Sequence, residues 1–561
     1  MPIHPLAVLL ALFALLLAAP AGAQTGADTV LVNGRIVRFE AEPSEALAIR
    51  AGRIVALGTS REIRALAGPA TRIIDLAGDM VIPGLIDSHI HAIRAGLTYQ
   101  NEVDWSGART IAEALSRLRA AALRAPQGAW LVVAGGWVAR QFAEGRRPSQ
   151  EEIVAAVPDH PVYVQLLYSA VLLSPGGLAA LGVLDEPELA SRLTVETDVG
   201  GNPTGWLSAE SRTISELYDH LPRPGFAQQL AGTREFFRTL NSLGVTGVID
   251  PGGYNLPLSA YQPLFRLWRE EGLSLRVAYS LCAPRRGHEL EDFQALTAAL
   301  PMGLGDDSLR FNGIGENVVW GMYNNDAPST EEQEQLFQVL RWAAARGLAA
   351  TFHWNSERSV AHLLAVLARV NAETSLVPLR WSIAHLNDAS LDSLRRMQAL
   401  GIGWLVQDAL YYSGEDFVAR QGVEAARFVP PIVTALHLGL PVGAGTDAQR
   451  VMSFNPFVAL QWLVDGRTVA GLAMRAPEQR LSRLAALKLY TLGSAWFAHD
   501  EERRGELEAG RLADLAVLDR DYLAVPVEEI AGIRALLTLV GGRVVHATGR
   551  YAGLLENGLR R

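Results

Sequence analysis

Between residues 244 and 448 the chain repeats one pattern: a short apolar, β-branched run, then a helix-like stretch. The runs are GVTGVID (244–250), SLRVAYSLCA (274–283), LRFNGIGE (309–316), GLAATFHWN (347–355), RWSIAHLN (380–387), GIGWLVQDA (401–409) and LPVGAGTDA (440–448). An eighth, VIPGLIDSHIHA (81–92), precedes them. Between them lie segments such as STEEQEQLFQVLRWAAARG (329–347), where Ser329 or Thr330 can cap a helix, glutamates fill its first turn and Gly347 stops it. Strands that alternate with helices pair in parallel, because the connection is long enough to cross back over the sheet. Eight such units predict an α/β fold of the (β/α)8 TIM-like barrel type.

The two ends of the chain read differently. TVLVNGRIVRF, ALAIRAGRIVALG and TRIIDLAGDMVIPG near the start, and GELEAGRLADLAVLD and ALLTLVGGRVVHATGRY near the finish, are short strands separated by glycine turns. Together they look like parts of one small β-domain, residues 24–84 and 496–561, interrupted by a barrel over 85–495. Residues 99–240 form an insertion after the first barrel strand, read as partly helical and partly loop. A length of 561 residues accommodates all of this.

Ahead of residue 24, the apolar run at 6–19 ends in Ala21-Gly22-Ala23, the pattern of a cleavable leader. The run is short for a membrane span. The expectation is an exported protein, periplasmic or secreted, starting near Gln24 and not inserted in a membrane after cleavage. Cys282 is the single cysteine, so no internal disulfide can form. A net charge of −9 without a basic stripe argues against nucleic acid as a partner. A small-molecule substrate is expected, and a homodimer is left open.

In a TIM-like barrel, chemistry sits at the C-terminal ends of the strands. Marking those ends selects His89 and His91 on the first strand, Glu316 on the fourth, His353 on the fifth, His385 on the sixth and Asp447 on the eighth. Four of the chain's twelve histidines thus fall at strand ends. Residues two apart in a strand point the same way, so His89 and His91 can face one ion. Imidazoles and carboxylates are the usual ligands of Zn²⁺ and similar divalent ions.

VIPGLIDSHIHA resembles the first-strand motif of the amidohydrolase superfamily, and GRLADLAVLD (510–519) resembles its C-terminal β-domain signature, with Arg511 in the usual lysine place. VDWSGARTIAEAL (103–115), AGGWVARQF (134–142) and GNPTGWLSAES (201–211) are similar to a narrower branch, the amidohydrolase-3 group, which includes N-substituted formamide deformylases. The resemblance implies a (β/α)8 barrel with a small β-sandwich built from both chain ends, and a metal-dependent hydrolase in which activated water attacks a carbonyl, cleaving an amide, formamide or N-acyl C–N bond. It implies one or two divalent ions, Zn²⁺ first among them, held by His89, His91, His353 and His385, with Asp447 as ligand or as the catalytic base and acid. Ester hydrolysis, deamination, isomerisation and decarboxylation are alternatives on the same scaffold, as is a non-catalytic exported binding protein.

Many two-metal members bridge their ions with a carboxylated lysine on the fourth strand. The one lysine here, Lys488, lies after the eighth. Glu316 stands at or next to that place, and a carboxylate has two oxygens with which to bridge. For substrate contacts the candidates are Trp137, Trp320, Tyr323 and Arg450, with Tyr411, Tyr412 and Arg140 behind them. Tyr168 and Leu173 stand where close relatives often carry His and Asn.

Overall fold

The structure is a computed structural model that describes residues 26–253 and 256–556. The leader expected at 1–23 lies outside the described residues. Among them, no helix is long and apolar enough to cross a membrane.

The predicted strands are β1 (Leu85–Asp87), β2 (Val245–Asp250), β3 (Arg276–Leu281), β4 (Leu309–Ile314), β5 (Thr351–Trp354), β6 (Ser382–His385), β7 (Gly403–Val406) and β8 (Val442–Ala444). All neighbours pair in parallel. Strands β2 and β3 are buried along their whole length, which is why their sequences run apolar without alternation. The strands form two four-stranded sheets, β4-β3-β2-β1 and β5-β6-β7-β8. The ladder thins to single backbone contacts at both seams. Ile314 N–H donates to Ala349 O at 3.0 Å, and Ser88 N–H donates to Ala444 O at 3.1 Å. Several strands are shorter than their apolar runs suggest. β8 stops at Ala444, because Gly445, Thr446 and Asp447 turn inward to meet β1. A Cβ on Gly445 would lie 2.5 Å from His89 N, so only glycine permits this approach.

One segment packs between strands of both sheets. Phe497 and Ala498 share a buried cluster with Ile249, Ala278, Ala384 and Leu405. Space for the Phe497 ring comes from Gly403 and Gly443, where a Cβ would stand 2.4 and 2.9 Å from it.

The helix expected at 329–347 spans Thr330–Ala345, with Ser329 and Glu332 capping each other's backbone N–H. The insertion is more ordered than its sequence suggests. It contains a five-stranded sheet, Thr194–Thr197, Pro203–Ser208, Ala170–Leu173, Val162–Leu166 and Leu131–Val133 in spatial order. Its strands are short and interrupted by turns, which hides their periodicity. Separate apolar clusters flank the sheet.

Strands from the two ends of the chain pair with each other. Met80–Pro83 pairs antiparallel with Leu515–Leu518, which pairs in turn with Ala535–Val540. A second sheet of Ala27–Val32, Ala46–Arg50, Arg53–Gly58 and Ala67–Asp75 shares a buried cluster with the first, including Leu31, Ile74, Val81, Leu515 and Leu539.

Candidate metal centre

The six residues marked at the strand ends converge. His89 is fully buried, and its Nε2 stands 3.3 Å from Glu316 Oε2 and 3.6 Å from Asp447 Oδ1. His91 Nε2 lies 3.3 Å from Glu316 Oε1 and 3.1 Å from Asp447 Oδ1. On the other side, Glu316 Oε2 is 3.0 Å from His353 Nδ1 and 3.6 Å from His385 Nε2. Glu316 therefore offers Oε1 to His91 and Oε2 to His89, His353 and His385.

Backbone and neighbouring groups aim these side chains. Asp87 accepts from His89 N–H at 3.1 Å, Thr446 N–H at 3.0 Å and the Thr446 hydroxyl at 2.6 Å, tying β1 to the turn after β8. His91 Nδ1 donates to Gly252 O at 2.7 Å, which leaves Nε2 for the centre. His353 Nε2 meets the Tyr323 hydroxyl at 2.8 Å, which leaves Nδ1. Gln407 Oε1 accepts from His385 N–H at 2.9 Å. His385 and Asp447 have left-handed backbones, φ 71° and 53°. Such positions cost about 1–3 kcal/mol each and persist at functional sites.

The electrostatics are those of a buried ion cluster. Burial opposes charge on His89, but Asp447 and Glu316 outweigh it and push the imidazole up to about 10. Burial also opposes charge on Glu316 and Asp447, and the surrounding imidazoles hold both well below the usual carboxylate range. Burial and the neighbouring His353 push His385 down to about 4. Burial raises Asp87 to about 6 against its hydrogen bonds from Thr446 and His89.

The donor set fits a divalent cation. Both ring nitrogens of His89 are buried without a hydrogen-bond partner. The gaps of 3.3 and 3.6 Å from His89 Nε2 to carboxylate oxygens exceed good hydrogen-bond length. Two donors each about 2.1 Å from one ion at a tetrahedral angle stand roughly 3.4 Å apart. Among the described residues, three overlapping triads have ligand atoms within 4.8 Å of one another: His89, His385 and Asp447; His89, His91 and Glu316; Glu316, His353 and His385.

A cavity of about 800 Å³ opens over His91, Glu316, His353 and Asp447, roofed by the insertion. Three of the expected substrate-contacting residues, Trp320, Tyr323 and Arg450, line it, and so does Tyr168. Trp137 does not, which corrects the expectation. It is fully buried inside the insertion among Trp105, Phe142 and Trp206, and its indole N–H donates to Gln165 O at 2.8 Å. The reason lies in the two glycines before it. A Cβ on Gly135 would sit 1.8 Å from Arg450 O, so the backbone lies directly on the loop after β8 and the indole turns away into the core. Arg140 pairs with Asp416 at 2.6 Å on the surface. Tyr412 is buried against Val138 and Met452, and its hydroxyl accepts from Ser453 N–H at 3.1 Å. Tyr411 packs beside it and is absent from the cavity wall.

Four residues near the centre escaped the sequence reading. Asp87 lies two before His89, and Arg94 one helical turn after His91, so proximity in sequence could have revealed both. Glu102 and Tyr218 come from the insertion, and no local signal marks them.

Comparison with known proteins agrees with this architecture. The model of the amidohydrolase family matches residues 72–546. Protein LONG AFTER FAR-RED 3 of Arabidopsis thaliana is 25% identical over 546 residues, covering 93% of this chain and 92% of its own. The N-substituted formamide deformylase of Arthrobacter pascens is 22% identical over 544 residues, 92% of this chain and 97% of its own. Among solved structures, an uncharacterized metal-dependent hydrolase from Pyrococcus horikoshii has a TM-score of 0.63 at 23% identity, covering 89% of this chain and 99% of its own. Eight ordered strands with a His, Glu and Asp cluster at their ends, and a family match over most of the length, lead to one assignment: the chain belongs to the amidohydrolase family.

Proposed function

We propose that the protein is a metal-dependent hydrolase that cleaves a non-peptide or peptide-like C–N bond of a small molecule, an amide, formamide or N-acyl group. The observation that carries this reading is the buried, unpartnered His89 Nε2 facing Glu316 and Asp447 across ion-sized gaps at the floor of a cavity. The formamide deformylase relative supports the C–N choice. In this reading His89, His91, Glu316, His353, His385 and Asp447 would hold one or two divalent ions. Imidazole with carboxylate favours Zn²⁺. A bound ion of this kind supplies Lewis acidity and lowers the pKa of water from 15.7 to about 7.

The chain's own residues supply the rest. Asp447, on the cavity wall with its carboxylate beside His91 Nε2, accepts the proton of the attacking water and returns it to the leaving nitrogen. Trp320 and Tyr323 also line the wall, and the Tyr323 hydroxyl at His353 Nε2 orients that ring. We also read the two seamed sheets as a closed (β/α)8 barrel, supported by the backbone bonds at both seams and by Phe497 between them. The paired end sheets are read as a β-sandwich, and the leader as an export signal.

The test is metal analysis of purified protein together with a screen of N-acyl amino acids, formamides and small peptides. Asp447→Asn is expected to retain metal while kcat falls about 10²- to 10⁴-fold, the typical worth of a positioned acid–base group. Near-normal kcat in that variant would remove Asp447 from the mechanism.

A further inference from the structure

Arginines and carboxylates both line the cavity above the cluster. Arg94 and Arg450 both line it, and among the described residues neither guanidinium forms an ion pair. Arg94 stands close to the centre: a Cβ built on Gly253 would lie 3.5 Å from His91 Nδ1 and 3.6 Å from Arg94 Nη1. Arg450 follows Asp447 by three residues, and its guanidinium lies over the Tyr218 ring at 3.6 Å. Stacking on an aromatic face occupies the flat side of a guanidinium and leaves its in-plane N–H groups free for a fork-like pair with a planar anion.

Among the carboxylates on the cavity wall, Glu102 acts on both Arg94 and Arg450, and it is already engaged. Glu102 Oε1 accepts from the Tyr218 hydroxyl at 2.7 Å and from the Thr98 hydroxyl at 2.5 Å. Of the other carboxylates on this side of the wall, Glu216 pairs with Arg192 at 2.7 Å and Asp219 with Arg223 at 3.6 Å, so Arg94 and Arg450 keep N–H groups for an anion. The rest of the wall includes Leu97, Trp130, Leu221, Phe226 and Leu256, which suit an apolar group. The Gly135–Gly136 backbone holds the Arg450 segment against the insertion, and Gly136 N–H donates to Arg450 O at 3.2 Å.

We propose that the substrate carries a carboxylate near its scissile group together with an apolar side chain, the carboxylate being held by Arg450 and Arg94. N-acyl derivatives of apolar amino acids are the class that fits. The proposal rests on the hydrolase reading above, and the experiment separates the two.

Metal-loaded full-length protein is given N-formylphenylalanine and N-formylphenylalaninamide, with formate release as the readout, so that only the shared formamide bond is followed. The expected kcat/KM ratio favours the carboxylate by about 10- to 100-fold, the worth of a hydrogen-bonded charge. Arg450→Gln is expected to bring that ratio near one, and Arg450→Lys to leave it intermediate, because a point charge cannot reproduce the fork. Equal turnover of both substrates by the wild type would overturn the proposal and leave the hydrolase reading standing. If no formate is released, calorimetric titration with 4-phenylbutyrate and 4-phenylbutanol, which have no bond to cleave, decides the matter. The carboxylate is expected to bind about 10-fold or more tightly, with the advantage lost in Arg450→Gln. If phenylbutyrate binds equally well to Arg450→Gln and Arg94→Gln, the carboxylate sits elsewhere and the proposal fails. Should Arg450→Gln not fold, judged by its melting curve, Arg94→Gln carries the same comparison.

Discussion

His89 shows how much a single residue's surroundings decide. Its sequence position marked it as a strand-end imidazole, and the carboxylates of Asp447 and Glu316 outweigh burial and push it up to about 10. The metal-free protein therefore holds a proton on His89 at neutral pH. An ion must displace that proton, because a ligating imidazole is neutral. Metal uptake at pH 7 is accordingly expected to release protons and to weaken as pH falls. Titration calorimetry in buffers of different ionisation enthalpy measures this, and buffer-independent heats would show that His89 is already neutral. Tyr323 works on the neighbouring ligand candidate. Its hydroxyl meets His353 Nε2 at 2.8 Å, with Asn355 Nδ2 at 3.1 Å from the same atom. Removing such a partner of a metal-bound histidine typically costs 10- to 100-fold in metal affinity or activity. Tyr323→Phe is expected near the lower end, about 10-fold, since Asn355 remains. Unchanged metal affinity and kcat would show that Asn355 suffices.

At the scale of elements, what matters is how strand ends and loops are pinned. Asp87 joins β1 to the turn after β8, and the insertion's Gly135–Gly136 turn rests on the loop that carries Arg450. Gly135→Ala places a methyl into Arg450 O at a backbone φ of 138°, a region open in practice to glycine alone. The expected cost is about 1–3 kcal/mol, read as a lower denaturation midpoint, with a rise in KM as the loop shifts. A variant of wild-type stability and KM would mean that the two segments separate without consequence. The same contact explains why Trp137 was misplaced by sequence reading. An aromatic residue beside two glycines looks like a loop side chain, but the close backbone approach rotates the indole into the insertion core.

For the whole molecule, Phe497 links the C-terminal part of the chain to both strand groups. It packs with Ile249, Ala278, Ala384 and Leu405 in one buried cluster. Phe497→Ala leaves a cavity there, with an expected loss of about 3–5 kcal/mol and a lower melting temperature. A loss below about 1 kcal/mol would mean that the strands collapse onto the gap.

Strand order, the capped helix at Thr330–Ala345, the meeting of the chain ends and the six strand-end side chains were legible in the sequence. Each depends on a local period, a cap or the rule that barrel chemistry gathers at C-terminal strand ends. Tertiary structure alone decided that Glu316 turns one oxygen to His91 and the other to His353 and His385, and that Trp137 is core. It alone brought Arg94, Glu102, Tyr218 and Arg450 around one cavity. Those contacts join residues hundreds of positions apart. They arise where the insertion folds over the strand ends, and no local pattern in the chain records how two distant surfaces meet.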